Sequence, residues 1–275
     1  MGSFEDTLNF LEKHDSTNIL IKDKLELFKK QYKDESGLEY SKKNVLYTFT
    51  KWLEDKGAKF NKIKMKYYAP DFRGVYAFRK IKKNEVILSV PNTLIITPQR
   101  GRETDIGIKV KNSGVKIFWE HLFYITLFLM EQFHDDNSIW KPYINVYPKI
   151  VGSFPLFYTE EEKLMLEGSA MLSQIESEIE EIKNEYERIA TVVPEIRKFT
   201  VEEYMRNKTL VISRIFFVNI HGTPERIMVP FADMFNHHYD KIGQTSWKYD
   251  NSSDSFVVTA KRDIPASEAV LCMIK

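Results

Sequence analysis

Between Ile227 and His238 the chain reads Ile-Met-Val-Pro-Phe-Ala-Asp-Met-Phe-Asn-His-His, with four polar side chains directly after an apolar, strand-like run. Polar groups gathered at the end of a rigid element are a common way to build a site. Asp233 and His237 stand four residues apart and would share one face of a helical turn, from which they could hold a metal ion. A metal site takes at least three protein ligands, however, and no third residue has a matching spacing. No metal is expected. Asp233 and Asn236 also have the side chains of helix N-caps, so residue type alone leaves a structural role as open as a chemical one.

Two β units must carry these groups, with a helical middle between them. Val45, Leu46, Phe49, Trp52 and Leu53 fall at three- and four-residue steps, which predicts a helix ending at Gly57 as C-cap. From Gly74 to Pro91, Val75, Tyr76, Ile81, Val86, Ile87, Leu88 and Val90 predict two strands joined by a turn at Lys82-Lys83-Asn84. The alternation of Lys62, Lys64 and Lys66 reads as the solvated face of a strand. The spacing of Ala77, Ile81, Glu85 and Leu88 returns in Ala260, Ile264, Glu268 and Leu271, so two similar strand-turn-strand units bracket the chain. Between them, residues 115 to 135 predict a buried helix with Pro142 as its stop. Residues 160 to 190 predict a charged helix whose apolar stripe packs within the chain, and a further helix is expected from Val201 to Phe217. The polar residues 1 to 43 read as a helical leader ending near Lys33-Asp34-Glu35-Ser36-Gly37.

Composition narrows the function. Of 275 residues, 43% are hydrophobic and 29% charged, enough apolar mass for a core, and the net charge of +1 offers no broad field to a phosphate backbone. Neither nucleic acid nor membrane is expected as a partner. The stretch from Ile117 to Met130 is broken by Glu120 and His121 and is too short to span a bilayer; Met1 to Phe10 lacks a signal-peptide pattern, and Gly2 is followed by Asp6 where myristoylation wants Ser or Thr. The lone Cys272 excludes an internal disulfide and points to a cytoplasmic or nuclear protein.

Pro230-Phe231-Ala232-Asp233-Met234-Phe235-Asn236-His237 resembles the Asn-His motif of SET-domain protein methyltransferases, in the form found in the RuBisCO large-subunit methyltransferase and actin-histidine methyltransferase group. The run Arg73-Gly74-Val75-Tyr76-Ala77 through Ile81, Asn84 to Leu88 and Pro91 resembles the N-terminal strands of the same family. Trp140-Lys141-Pro142-Tyr143 and Ser213-Arg214 follow in the family order, so the resemblance covers roughly residues 45 to 273. It implies an α+β fold of small sheets with a helical insert between two SET halves. Residues 1–43 would be a leader, 44–104 the N-terminal half, 105–217 the insert and 218–275 an incomplete C-terminal half.

The resemblance also implies S-adenosyl-L-methionine as cofactor and a protein bearing a target lysine as substrate. Asp71, Phe72, Arg73, Arg214, Asn236 and His237 would bind the cofactor, and Asp233 would lie by the substrate amine. Without the family context Arg214 would read as a surface ion pair; within it, a guanidinium suits the cofactor carboxylate. Ala232 resembles the lysine-directed relatives, since the actin-histidine branch carries Trp there.

Three departures stand out. Phe72 occupies a position where many relatives have glycine. Asn84 and Ser267 stand where the two turns favour glycine, Asn being the milder change. At the end of the chain Ile274 and Lys275 occupy the family's Tyr-Gly positions, so the catalytic tyrosine is missing and no catalytic residue is assigned; Tyr249 is expected by the substrate, and were methyl transfer found, Tyr249 or Trp247 would be first in line for the tyrosine's work. The chain as written is expected to bind the cofactor weakly and to transfer no methyl group; the alternative is a catalytically dead SET-like protein-binding module.

Overall fold

The computed structural model describes residues 35–69, 72–147, 154–238 and 243–273. Helix α1 (Glu35–Asp55) is followed by strands β1 (Ile63–Ala69), β2 (Phe72–Ala77) and β3 (Val86–Pro91). The helical middle contains α2 (Pro98–Arg102), α3 (Asp105–Ser113), α4 (Glu120–His134), α5 (Lys141–Ile144), α6 (Glu160–Leu164), α7 (Ala170–Val192) and α8 (Val201–Arg214). Strands β4 (Ile215–Ile220), β5 (Thr223–Met228), β6 (Asn236–His238), β7 (Thr245–Asp250), β8 (Ser255–Ala260) and β9 (Ala269–Met273) complete it.

The strands form three small sheets with orders β1-β2-β9-β6, β3-β8-β7 and β4-β5. The two similar β units pair with one another. β2 lies antiparallel to β9, β3 lies antiparallel to β8, and Ile81 bridges Ile264 between them. The link is close to twofold: the Ala77 N–H donates to Glu268 O at 2.9 Å and the Ala260 N–H to Glu85 O at 2.9 Å. Asn84 and Ser267, at equivalent turn positions, have φ of 66° and 71°. Left-handed backbone is costly for any side chain but tolerated by Asn, so Ser267 carries strain that a glycine would not.

A first core joins both β units to α1, α4 and α5 through Phe49, Leu53, Val75, Leu88, Leu129, Tyr143, Phe231, Phe256 and Val270. A second core lies within the insert, around Phe123, Leu127, Ile182, Tyr186, Ile189 and Tyr204. Helix α4 serves both, with Leu122, Ile125 and Leu129 toward the first core and Phe123, Leu127 and Met130 toward the second. Its nearly continuous apolar sequence is what a helix buried on all sides requires. The second core encloses one ionic group: the Glu185 carboxylate accepts from Tyr204 Oη at 2.7 Å and pairs with Lys208 Nζ. Among the described residues no helix is long and apolar enough to cross a membrane.

Several boundaries differ from the sequence reading. α1 runs unbroken through Glu35-Ser36-Gly37 and across residues 43 and 44, although its expected end holds, with Gly57 left-handed at φ +93° just past Asp55. The predicted helix over 160–190 is two helices, because Gly168 turns left-handed at φ +80° and Ser169 then caps α7. Pro142 does not stop α4; that helix ends at His134, and Pro142 opens α5, where its missing N–H costs nothing. The helix expected to reach Phe217 stops at Arg214, since Ile215-Phe216-Phe217-Val218 is taken up in pairing with β5. The boundary at 217/218 therefore falls inside β4. Lys64 and Lys66 are exposed beside Ile63, which is buried, and they lie over Phe78 and Tyr76 at 4.7 and 4.8 Å.

Candidate active site

Strand β5 delivers the chain to a short turn, Ala232–Met234, that presents Asp233. Phe231 enters it with φ 72° and ψ −45°, a conformation rarely taken by a bulky residue and one that costs about 1–3 kcal/mol. Complete burial of the ring, against Phe60 at 4.7 Å, holds it there. The turn brings Asp233 under the end of α8, and Arg214 Nη1 donates to the Asp233 backbone O and to Oδ2, both at 3.2 Å. Tyr143 Oη donates to the same Oδ2 at 3.0 Å. The Asp233 side chain is fully buried, yet its Oδ1 has no hydrogen-bond donor among the described residues. Arg214 lies over the Tyr147 ring at 5.0 Å.

Asn236 reaches the other half of the molecule. Its Nδ2 donates to the Arg73 backbone O at 2.9 Å, and the chain then pairs in parallel with β9, Asn236 opposite Leu271 and His237 opposite Cys272. The amide can cross β2 only because residue 74 has no side chain. A Cβ there would lie 2.6 Å from Asn236 Nδ2 and 3.2 Å from the Tyr68 ring. Arg73 turns its guanidinium the other way, donating from Nη1 to Val146 O. Burial, and then Arg214, lower the Arg73 pKa. For Arg214 burial also works against the charge but is outweighed by Asp233 and the two tyrosines, which raise the pKa overall. Burial, and then the charge of Asp233, push the Tyr143 and Tyr147 hydroxyls well above the usual tyrosine range, so Tyr143 stays a neutral donor. Arg214 contacts the carboxylate and Arg73 lies near enough to feel both charges, so the local excess of positive charge suits an anionic group.

The structure brings Arg73, Arg214, Asp233 and Asn236 together from β2, α8, the turn and β6. His237 is exposed beside them, and Phe72 is 55% exposed, its ring 5.8 Å from Tyr68. Asp71 and Ile274 lie outside the described residues. Tyr249 does not join the group: its hydroxyl is committed to Asp254, in the turn between β7 and β8. Trp247 packs edge-on against Phe216 at 5.6 Å. Gly74, Tyr143 and Tyr147 were not singled out as site residues. Two tyrosines four positions apart, on one side of a helical turn after Trp140-Lys141-Pro142, were the available signal.

This arrangement of small sheets, helical insert and crossing Asn-His segment is the fold of a SET domain, and the SET-domain family model matches residues 73–273. The chain belongs to the SET-domain family. It is 30% identical over 198 residues to the ribulose-1,5-bisphosphate carboxylase/oxygenase large subunit N-methyltransferase of Nicotiana tabacum, which covers 70% of this chain and 38% of that protein. It is 25% identical over 231 residues to the actin-histidine N-methyltransferase of Canis lupus familiaris, 80% of this chain and 38% of that one. The chain thus spans about two fifths of the length of the curated relatives it matches. Among solved structures, the SET domain of LSMT bound to lysine and AdoHcy superposes with a TM-score of 0.72 at 23% identity, covering 85% of this chain and 54% of that one. Rubisco LSMT bound to AdoMet gives 0.69 at 25% identity, 84% and 53%.

Proposed function

We propose that this SET domain binds S-adenosyl-L-methionine and methylates a lysine side chain of a protein substrate. The observation that carries the reading is the crossing of Asn236 over Gly74 onto the Arg73 carbonyl, beside the buried Arg214–Asp233 pair. The residues fit such a cofactor: the guanidinium excess suits its carboxylate, and the Asn236 amide, let across β2 by Gly74, brings a directional polar group beside it. When bound, the cofactor supplies a sulfonium methyl group open to in-line displacement by a neutral amine. Arg73 and Asn236 would hold it by directional hydrogen bonds, Arg214 would balance its negative end, and the buried Asp233 Oδ1, without a donor among the described residues, would accept from the substrate amine. Alignment of this kind is the main source of rate in such a displacement. Relatives named as a fructose-bisphosphate aldolase-lysine N-methyltransferase and as an N-lysine methyltransferase support lysine as the target. The lone, buried Cys272 supports a cytoplasmic or nuclear setting.

The test is calorimetric titration with S-adenosylmethionine, together with transfer of radiolabelled methyl to proteins of a cell lysate. The expectation of weak binding and no transfer rests on Ile274 and Lys275, outside the described residues, whereas the described site calls for binding heat and label incorporation that both disappear in Asn236→Ala. Binding that survives Asn236→Ala would place the cofactor elsewhere.

A further inference from the structure

Among the described residues the buried carboxylate of Asp233 is held on one side only. Arg214 reaches it with a single nitrogen at 3.2 Å, long for a charge-assisted bond, which is usually about 2.7–2.9 Å. The second hold on Oδ2 is the Tyr143 hydroxyl, which comes from the insert. That ring has no freedom to swing: it is completely buried, stacked on Phe49 at 5.6 Å and 16° and packed against Tyr147 at 4.9 Å. A buried carboxylate oxygen left without a donor is costly, so Oδ1 marks a place for a ligand donor rather than a finished core contact.

We propose that Tyr143 is a positioning residue of the methyl-transfer site: with Arg214 it pins Asp233 by Oδ2 and thereby reserves Oδ1 for a primary amine. The inference rests on the methyltransferase reading and adds to it a role for the helical insert, which supplies the hydroxyl that aims the acceptor. Tyr143 itself touches neither amine nor cofactor.

The experiment titrates n-butylamine, a lysine side chain without its backbone, into the full chain in the presence of S-adenosylmethionine. Tyr143→Phe keeps the ring stack and removes the hydroxyl. It should weaken amine binding about tenfold or more, the usual effect of losing a hydrogen bond to a charged group, with cofactor affinity unchanged. Tyr204→Phe is the control, since it deletes a like bond to a buried carboxylate, Glu185, in the other core. It should lower the melting temperature without touching amine affinity. Equal amine affinity in Tyr143→Phe and wild type would overturn the inference and leave the methyltransferase reading standing; failure of wild type to bind S-adenosylmethionine would sink both. A wild-type crystal structure with n-butylamine gives a second readout that does not depend on how the variant folds. The amine nitrogen on Oδ1 with Tyr143 still on Oδ2 supports the role, and an amine bound elsewhere refutes it.

Discussion

Replacing Gly74 with alanine tests the site at its tightest point. The added carbon would stand 2.6 Å from Asn236 Nδ2 and 3.2 Å from Tyr68 Cε2, whereas unstrained contacts lie near about 3.5–4.0 Å. The amide must therefore retreat by about 1 Å, and its 2.9 Å bond to the Arg73 carbonyl cannot survive that move. Both obstacles are side-chain ends rather than backbone, so the fold can yield. The lost hydrogen bond costs about 1 kcal/mol, and the entropy that alanine removes from the unfolded chain offsets part of it. With the cost of crowding against Tyr68 and the displaced amide added, overall stability should fall by about 1–2 kcal/mol in urea unfolding. Function should suffer more, because an error of about 1 Å in a positioned group can lower a rate about a hundredfold. Calorimetry and label transfer read that side. Removing the obstruction as well, in Gly74→Ala with Asn236→Ala, should recover stability but not binding, a non-additive pair diagnostic of contact. Wild-type cofactor affinity in Gly74→Ala would refute the reasoning, since it would mean that the crossing amide plays no part.

Three further outcomes follow from features away from the site. Ser267→Gly should stabilise the protein by about 0.5–1 kcal/mol, the left-handed cost at φ 71° less the entropy of a glycine, seen as a higher urea midpoint. Lys208→Met should destabilise by about 3–5 kcal/mol in the same assay, because it leaves the Glu185 carboxylate buried beside Tyr204 without its cation. The Tyr249 hydroxyl holds the Asp254 carboxyl below the usual aspartate range. A lowered folded pKa gives stability that is present above the unfolded value, about 3.9, and lost as pH falls through the folded one. Tyr249→Phe should flatten that acid limb in a series of melts below about pH 4.

The sequence made some of this legible and hid the rest for identifiable reasons. The equal spacing of Ala77, Ile81, Glu85 and Leu88 with Ala260, Ile264, Glu268 and Leu271 foretold two like units, and these units pair directly. Positive φ at Asn84 and Ser267 was legible from the turns they occupy. Helix ends were less so. Arg214 ends α8 because the β-branched and aromatic residues that follow find a strand partner in β5, information that lies beyond any local window. Tyr249 has the right chemistry for the substrate role, but a side chain's chemistry does not say which neighbour it meets; the hairpin turn supplies Asp254 first. Tyr143 was read as part of a motif and not as a site residue, because its value comes from a contact 90 positions away.

The pairing of the two β units also governs how the chain can change. Lys83 and Asp263 hydrogen-bond across 180 positions, so the whole helical middle lies within a loop whose two ends are stitched side by side. The entropy of closing a flexible loop rises only with the logarithm of its length, about 0.6 kcal/mol for each doubling, and the insert, having its own core, reduces even that. New segments can therefore be accepted at its exposed turns without unseating Asn236 from Arg73. The closure delays assembly, however, because contacts this distant form slowly and the two halves of the cofactor edge meet only when the ends do. A nascent chain that has released only its first half would hold the Gly74 groove with nothing yet to cross it.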